Sequence, residues 1–435
     1  MNVTIMAIIM VGVIIASVFL KKIPMQFTLC VVPVICSLLL GYSISDVSGF
    51  IMASCNKTMQ ASGYLVLFAL IYFTMLSETG MFNILVSHFF CLFRGKINVY
   101  MIIIMTSVIA AIGMLTSSVV TAYLIVFPIM IPLYDQIRFD KRAAMVIAQT
   151  SIAAMCFVPW GVAVVNSSVF AGVDAMELSR RLMPVSLCYI PAIVMQWIYF
   201  ARKHKNNNGI MSISWKAERI DSEMPDEKNE MRRPKLFLVN LLIFVTVIVL
   251  LALNIIPAYL VFVAASFITI LLDYPEPKDY QKLWTKAGKT FFNTLFMLVG
   301  ISFFIGVFQE TGMVNALATF LVQLFPIALS RYLHIILAAV MVIVIRFMPN
   351  KIYNSTYPVL ISIGQKFGLS GTDVIAPFVT NMSLATGSSP FTATTHVGTS
   401  LLEIDTEDYC NMAVPIQTTT NIIIIVTALI SGVLF

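Results

Sequence analysis

The sequence predicts an all-α polytopic membrane protein made of two inverted-topology repeats, each interrupted by broken helices or re-entrant hairpins, with about 10–14 transmembrane segments in total. Three observations lead there. Hydrophobic residues make up 59% of the chain and charged residues 11%, whereas soluble domains carry roughly 25% charged residues; the mean hydropathy is +0.92. Apolar stretches approaching the roughly 17–25 residues that cross a bilayer recur from end to end. The tetrapeptide Glu78-Thr79-Gly80-Met81 returns as Glu310-Thr311-Gly312-Met313, an offset of 232, and the offset persists along the chain. Pro24 answers Pro257 at 233, Pro128 answers Pro358 at 230, and Pro159, Asp174 and Pro184 answer Pro390, Asp405 and Pro415 at 231. Helix breaks repeated at matching depths mark a carrier whose site lies where the repeats' interrupted helices meet.

The first repeat, residues 1–201, holds apolar segments at 4–20, 25–41, 64–77, 98–112, 118–134, 143–158 and 183–201. Thr4 to Leu20 lacks a basic stretch before it and an Ala-x-Ala site after it, so it reads as a retained helix and not a removed signal peptide. Lys21-Lys22 place the first connection in the cytoplasm and the N-terminus outside; Arg94, Lys96, Arg138, Lys141 and Arg142 fit the same side. Residues 202–235 carry nine Lys/Arg and too few large apolar groups to pack a core, as expected of a cytoplasmic linker. The second repeat, 236–435, has segments at 236–253, 258–272, 291–309, 333–347, 352–364, 373–386 and 410–434. An odd number of crossings per half makes the repeats inverted.

Several function classes fall away. The net charge of +6 is a topology signal on cytoplasmic flanks and not a nucleic-acid surface. Gly288-Lys289-Thr290 ends like a P-loop, but the position five before Gly288 is Leu283, so no ATP-binding module is present and transport must run on an ion or substrate gradient. No HExxH, no Gly-x-Ser-x-Gly elbow and no histidine cluster appears, which argues against an enzyme or a resident metal or other cofactor. The seven cysteines show no CxxC spacing and read as small hydrophobes.

Four irregular regions interrupt the apolar runs: 113–121, 159–168, 349–356 and 386–396. Non-helical backbone at membrane depth must be buried in protein or face a wet cavity, so the four are expected to converge on one polar cavity. Their hydroxyl and amide residues, beside half-helix N-termini, suit a carboxylate. The candidate binding residues are Thr116, Ser117, Ser118 and Thr121; Asn166; Asn350, Lys351, Asn354, Ser355 and Thr356; and Thr386, Gly387, Ser388, Ser389, Thr392, Thr394, Thr395 and His396. For any single Ser or Thr, ordinary helix packing competes with this reading. His396 suits proton coupling but equally a hydrogen-bonded structural role. Lys351 and Arg346 could attract an anion or snorkel to headgroups, and Glu78 and Glu310 sit just before a glycine, where a helix would end.

Val158-Pro159-Trp160-Gly161, Ala171-Gly172-Val173-Asp174-Ala175-Met176-Glu177-Leu178, Met183-Pro184-Val185, Glu78-Thr79-Gly80-Met81-Phe82 and Ser388-Ser389-Pro390-Phe391-Thr392-Ala393-Thr394-Thr395 resemble the citrate–metal:proton symporter family. That family lies within the ion-transporter superfamily of di- and tricarboxylate carriers, and the likeness covers nearly the whole chain outside the linker. It implies a secondary carrier of citrate complexed with a divalent cation. This chain has Gly113-Met114-Leu115-Thr116 where the family pattern carries Asp-Gly, and Asn350-Lys351 where it carries Asn-Asp. Losing two carboxylates favours a free carboxylate anion.

The expectation is therefore a multi-pass protein of the cytoplasmic (inner) membrane, a symporter for citrate or a related di- or tricarboxylate coupled to H⁺ or Na⁺. Its partners are the carboxylate and the lipid bilayer, with no nucleic acid, and a homodimer is compatible with this. A channel or passive pore for small anions is the rival, and a membrane enzyme comes third.

Overall fold

The computed structural model describes residues 2–20, 22–85, 95–208, 212–215, 231–253, 255–324, 327–348 and 352–434. The first half runs α1 (Val3–Leu20), α2 (Met25–Leu39), α3 (Ile44–Glu78, with a π-helical turn at Met59–Gly63), β1 (Gly95–Asn98), α4 (Val99–Met114), α5 (Val119–Ile137), α6 (Lys141–Ala154), α7 (Val162–Ala171), α8 (Ala175–Leu182) and α9 (Val185–Asn208). After β2 (Ser212–Trp215) the second half follows with α10 (Phe237–Leu253), α11 (Ala258–Asp273), α12 (Pro277–Glu310), α13 (Met313–Leu324), α14 (Ile327–Phe347), α15 (Ile352–Lys366), α16 (Gly371–Gly387), α17 (Ala393–Leu402) and α18 (Thr406–Ile430).

Six described helices are long and apolar enough to cross a membrane, or seven if the bent pair α7–α8 counts as one span; α1, α2, α4 and α11 are shorter apolar helices. A 16-residue helix such as α4 rises about 24 Å, short of a hydrocarbon core about 30 Å thick. Short arms of this kind are what the sequence segments at 98–112 and 143–158 become. Large apolar side chains that no protein covers, among them Ile35, Leu242, Phe267, Leu271 and Ile430, form the lipid-facing exterior.

The repeat is written in the helix ends. The Glu-Thr-Gly-Met motif is a helix stop: Gly80 and Gly312 take φ of +78° and +73°, which glycine adopts without steric cost. The hydroxyls of Thr79 and Thr311 donate to Leu76 O and Val307 O, capping the last turns. Left-handed residues recur after α5 and α15 at Arg138 and Gly368, and after α7 and α17 at Gly172 and Glu403. N-caps recur too: Asp140 and Ser370 cap α6 and α16, and Asp174 and Asp405 cap α8 and α18, each through its side chain.

Two bodies result. Helices α1–α3 pack mainly with α10–α13, and α4–α9 mainly with α14–α18, each body drawing on both halves of the chain, while α13 on α15 and α12 on α7 join the two. In the first body α12 lies close against α2 and α3, because Gly300 and Gly306 present no side chain: a Cβ on Gly306 would stand 2.7 Å from Phe50 O and 2.9 Å from Ser54 Cβ. Gly306→Leu is expected to wedge α12 off α3 and lower stability by about 1–3 kcal/mol, read as a lower midpoint in a detergent thermal-shift assay. In the second body Gln149 of α6 donates to Ser383 O of α16 at 2.6 Å. Thr150, Gln417, Gln196 and Thr420 form a buried network joining α6, α9 and α18.

The interruptions are narrower than the sequence suggested, at 115–118, 155–161 and 388–392. Asn166 lies inside α7 and Asn354, Ser355 and Thr356 in the first turns of α15, and a hydroxyl there can bond back to its own helix. Thr356 Oγ1 does so to Ile352 O at 3.1 Å. The candidates Asn350 and Lys351 lie outside the described residues. The helix α9 runs to Asn208, and Ser212–Trp215 pairs antiparallel with Gly95–Asn98, so the segment read as linker begins with ordered structure.

Candidate functional site

A cavity of about 450 Å³ opens where the two bodies meet, a size typical of small-molecule sites. One wall is the tip between α4 and α5, with Thr116, Ser117, Ser118 and Thr121; Trp160 and Val162 come from the start of α7. The opposite wall is the end of α3, with Phe73, Thr74, Ser77 and Glu78, joined by Lys286 of α12 and by Arg232.

The tip can be this tight because Gly113 faces Ala122 across the hairpin; a Cβ there would stand 2.7 Å from Ala122 Cα. Thr116 Oγ1 donates to Gly113 O at 2.8 Å and Ser118 Oγ accepts from Thr121 N at 3.2 Å, so both hydroxyls help close the turn. Ser117 carries the conformational cost, with φ of +59°, a region L-residues occupy sparingly. Its hydroxyl is buried and has no hydrogen-bond partner.

Two further polar groups lining the cavity share that condition. Trp160 is 4% exposed and stacks on Phe73 at 4.9 Å between centroids, yet its Nε1–H is unpartnered, as is Nη2 of Arg232. A buried donor without a partner costs roughly 1–3 kcal/mol, and three such donors surround this one cavity. The first turn of α7 adds to them. Its N-cap is Gly161, which has no side chain to satisfy the N–H groups, and Thr392 at the matching position of α17 makes no capping bond either. Unsatisfied helix N-termini favour anions.

Charge at the cavity favours anions as well. Arg232 and Lys286 face one carboxylate, Glu78, which forms an ion pair with Lys286. Among the described residues no group of three or more His, Cys, Asp or Glu side chains is placed to hold a metal ion.

The second cluster lies elsewhere. Ser388 and Ser389 are fully buried, and their hydroxyls donate to Leu384 O and Ile345 O at 2.8 and 2.7 Å. Thr386 bonds Met382 O and Thr395 bonds Thr386 O. Gly387 leaves room for Gln149, and its carbonyl accepts from Tyr409. His396 is exposed, with Nε2 2.7 Å from Pro390 O and Nδ1 3.4 Å from Thr406 Oγ1, tying α17 to the break before it. Thr394 is half-buried; Thr392 Oγ1, Ser355 Oγ and Asn166 Oδ1 are buried without partners, while Asn354 contacts Met297 Sδ at 3.7 Å. None of these lines the 450 Å³ cavity, which therefore gathers the first-repeat tip but not the residues of the second. Glu310, the repeat mate of Glu78, lines a smaller cavity of about 200 Å³ with Lys57 and Gln309. Reasoning from sequence counted Arg232 only among the cations of 202–235, did not single out Lys286, and left Trp160 out of the site. An unpaired indole beside a helix break was the available signal.

A multi-pass membrane protein with repeat-related broken helices and a cavity lined by donors and cations between two bodies has the make-up of a secondary transporter. Comparison with known proteins narrows the class. The family model described as "Citrate transporter" matches residues 1–387, and the chain belongs to that family. It is 24% identical over 407 residues to the citrate transporter of Bacillus subtilis (strain 168), covering 93% of each chain. Its identity to the same organism's Mg(2+)/citrate complex secondary transporter is 23% over 429 residues, 98% of each. Two solved structures share the fold. The Alcanivorax borkumensis YdaH transporter superposes with a TM-score of 0.59 at 11% identity, covering 94% of this chain and 98% of that one. Neisseria gonorrhoeae MtrF superposes with 0.63 at 12%, covering 93% and 94%.

Proposed function

We propose that this chain is an ion-coupled symporter that carries citrate or a related di- or tricarboxylate, as the free anion, across the cytoplasmic membrane. The observation that carries the reading is the set of unpartnered donors, Ser117 Oγ, Trp160 Nε1 and Arg232 Nη2, around one cavity. Carboxylate oxygens accept from hydroxyl, indole and guanidinium alike, and a bond to guanidinium is charge-assisted. Two cations against one carboxylate at the lining suit bare anionic oxygens; a metal complex would need hard oxygen ligands for the ion. The substrate meets the first-repeat tip, and motion of one body against the other exposes it to each side in turn. The coupling ion is H⁺ or Na⁺, whose gradient supplies the driving force.

The reading extends to topology. Residues 1–201 and 236–435 are the inverted repeats, and the 202–235 connection is cytoplasmic. A cysteine at Asn208 is expected to react with an impermeant thiol reagent only from the cytoplasmic side, and one at Asn2 only from outside; labelling of both from one side contradicts the inversion.

Uptake of labelled citrate into proteoliposomes tests the function. The expected result is saturable uptake that follows an imposed pH or Na⁺ gradient and persists in EDTA. Flux that rises linearly with concentration, indifferent to both gradients, contradicts a carrier. Loss in EDTA with recovery in Mg²⁺ contradicts the free anion and favours the cargo named for the Mg(2+)/citrate relative.

A further inference from the structure

The proposed anion site contains a carboxylate of its own. Glu78 is the last residue of α3, only 9% exposed, and is paired with Lys286, whose side chain is 65% exposed and reaches from the N-terminal part of α12. Both line the cavity that holds Ser117, Trp160 and Arg232. Its position is an odd one for a structural acid. A negative charge at a helix C-terminus opposes the helix dipole, and the following turn is already capped by Thr79 Oγ1 and the left-handed Gly80. The α3 terminus therefore does not need a carboxylate there, whereas the cavity's cations do have a use for one.

We propose that Glu78 is a tethered competitor of the substrate: it holds Lys286 while the cavity is empty and yields it to a substrate carboxylate on loading. The proposal rests on the reading of this cavity as the substrate site. With the cavity empty, Arg232 and Lys286 together outweigh Glu78 by one positive charge. An anion with a single carboxylate can engage Arg232 or displace Glu78, but not both. A di- or tricarboxylate can occupy both cations at once, so the internal acid sets a threshold on substrate charge. Selection then comes from the cost imposed on the wrong ligand. The stem of Arg232 lies along Gly80, where a Cβ would stand 3.5 Å from Arg232 Cγ. The same helix end thus positions one cation and the competitor of the other.

The test is citrate uptake, with acetate as competing monocarboxylate, in the full-length protein and in Glu78→Gln and Lys286→Met. If Glu78 competes, the two substitutions act in opposite directions. Glu78→Gln lowers the KM for citrate roughly fivefold, the upper range for a half-exposed ion pair, and makes acetate an inhibitor; Lys286→Met raises the KM by a similar factor. Should Glu78→Gln fail to insert, Glu78→Asp keeps the charge but withdraws it by one methylene, and a KM between the two is expected. Equal impairment by Glu78→Gln and Lys286→Met, or a KM unchanged in Glu78→Gln and Glu78→Asp, overturns the proposal and leaves a structural ion pair. Failure of the underlying site reading looks different: Lys286→Met and Ser117→Leu would then both leave the KM for citrate unchanged.

Discussion

Valine at Gly113 is expected to reduce uptake about a hundredfold while the protein still reaches the membrane. The α4–α5 hairpin closes because nothing stands between Gly113 and Ala122; a Cβ would lie 2.7 Å from the Ala122 backbone and 3.1 Å from its Cβ. Backbone cannot rotate aside as a flexible side chain can, so the arms must part and carry Thr116, Ser117 and Ser118 with them. Displacing binding groups by about 1 Å is enough for a loss on the order of a hundredfold. Gly288→Ala is the control, since nothing lies within 4 Å of a Cβ there, and alanine is the better helix former by up to about 1 kcal/mol. Uptake normalised to the protein in the membrane reads both.

The second large effect falls on Arg232. Removing a charge-assisted hydrogen bond to a bound carboxylate costs about 1.5–3 kcal/mol, so Arg232→Gln is expected to raise the KM for citrate by roughly ten- to a hundredfold. Arg232→Lys recovers part of it, because an ammonium keeps the charge but not the planar two-pronged donor. The neighbouring Arg233 serves as the contrast. It donates to Asp273 O at 2.8 Å, pairs with Asp279 at 3.4 Å and lies over the Tyr274 ring. Arg233→Gln is therefore expected to lower stability while leaving the KM near that of the parent.

The sequence shows the repeat clearly because helix breakers are local. The Glu-Thr-Gly-Met pair, the capping aspartates at 174 and 405, and the prolines at 159 and 390 each act on their own turn of backbone, so their recurrence survives in one dimension. The class of protein was legible for the same reason, and so was the polar tip from Thr116 to Thr121. The assembly of the cavity was not legible. Lys286 lines the cavity with Ser117 because α12 packs along α3, and Arg232 because Arg233 N donates to Thr79 O and the Arg232 stem lies on Gly80 at the end of α3. Such contacts across more than 100 residues leave no periodicity to read. The 386–396 segment, whose density of hydroxyls suggests a ligand, lies away from this cavity. There Ser388, Ser389, Thr386 and Thr395 donate to backbone carbonyls, which apolar surroundings oblige broken helices to satisfy.

The central claim, that a carboxylate binds at the first-repeat tip, is tested most directly by substrate protection of a single cysteine. With the native cysteines replaced, Ser117→Cys would place a thiol beside Trp160 and Arg232. Citrate is predicted to slow its alkylation in a saturable manner, with half-protection near the KM for uptake, in EDTA as in Mg²⁺. A labelling rate that citrate does not change, in a protein that still takes up citrate, would contradict the account and place the substrate elsewhere.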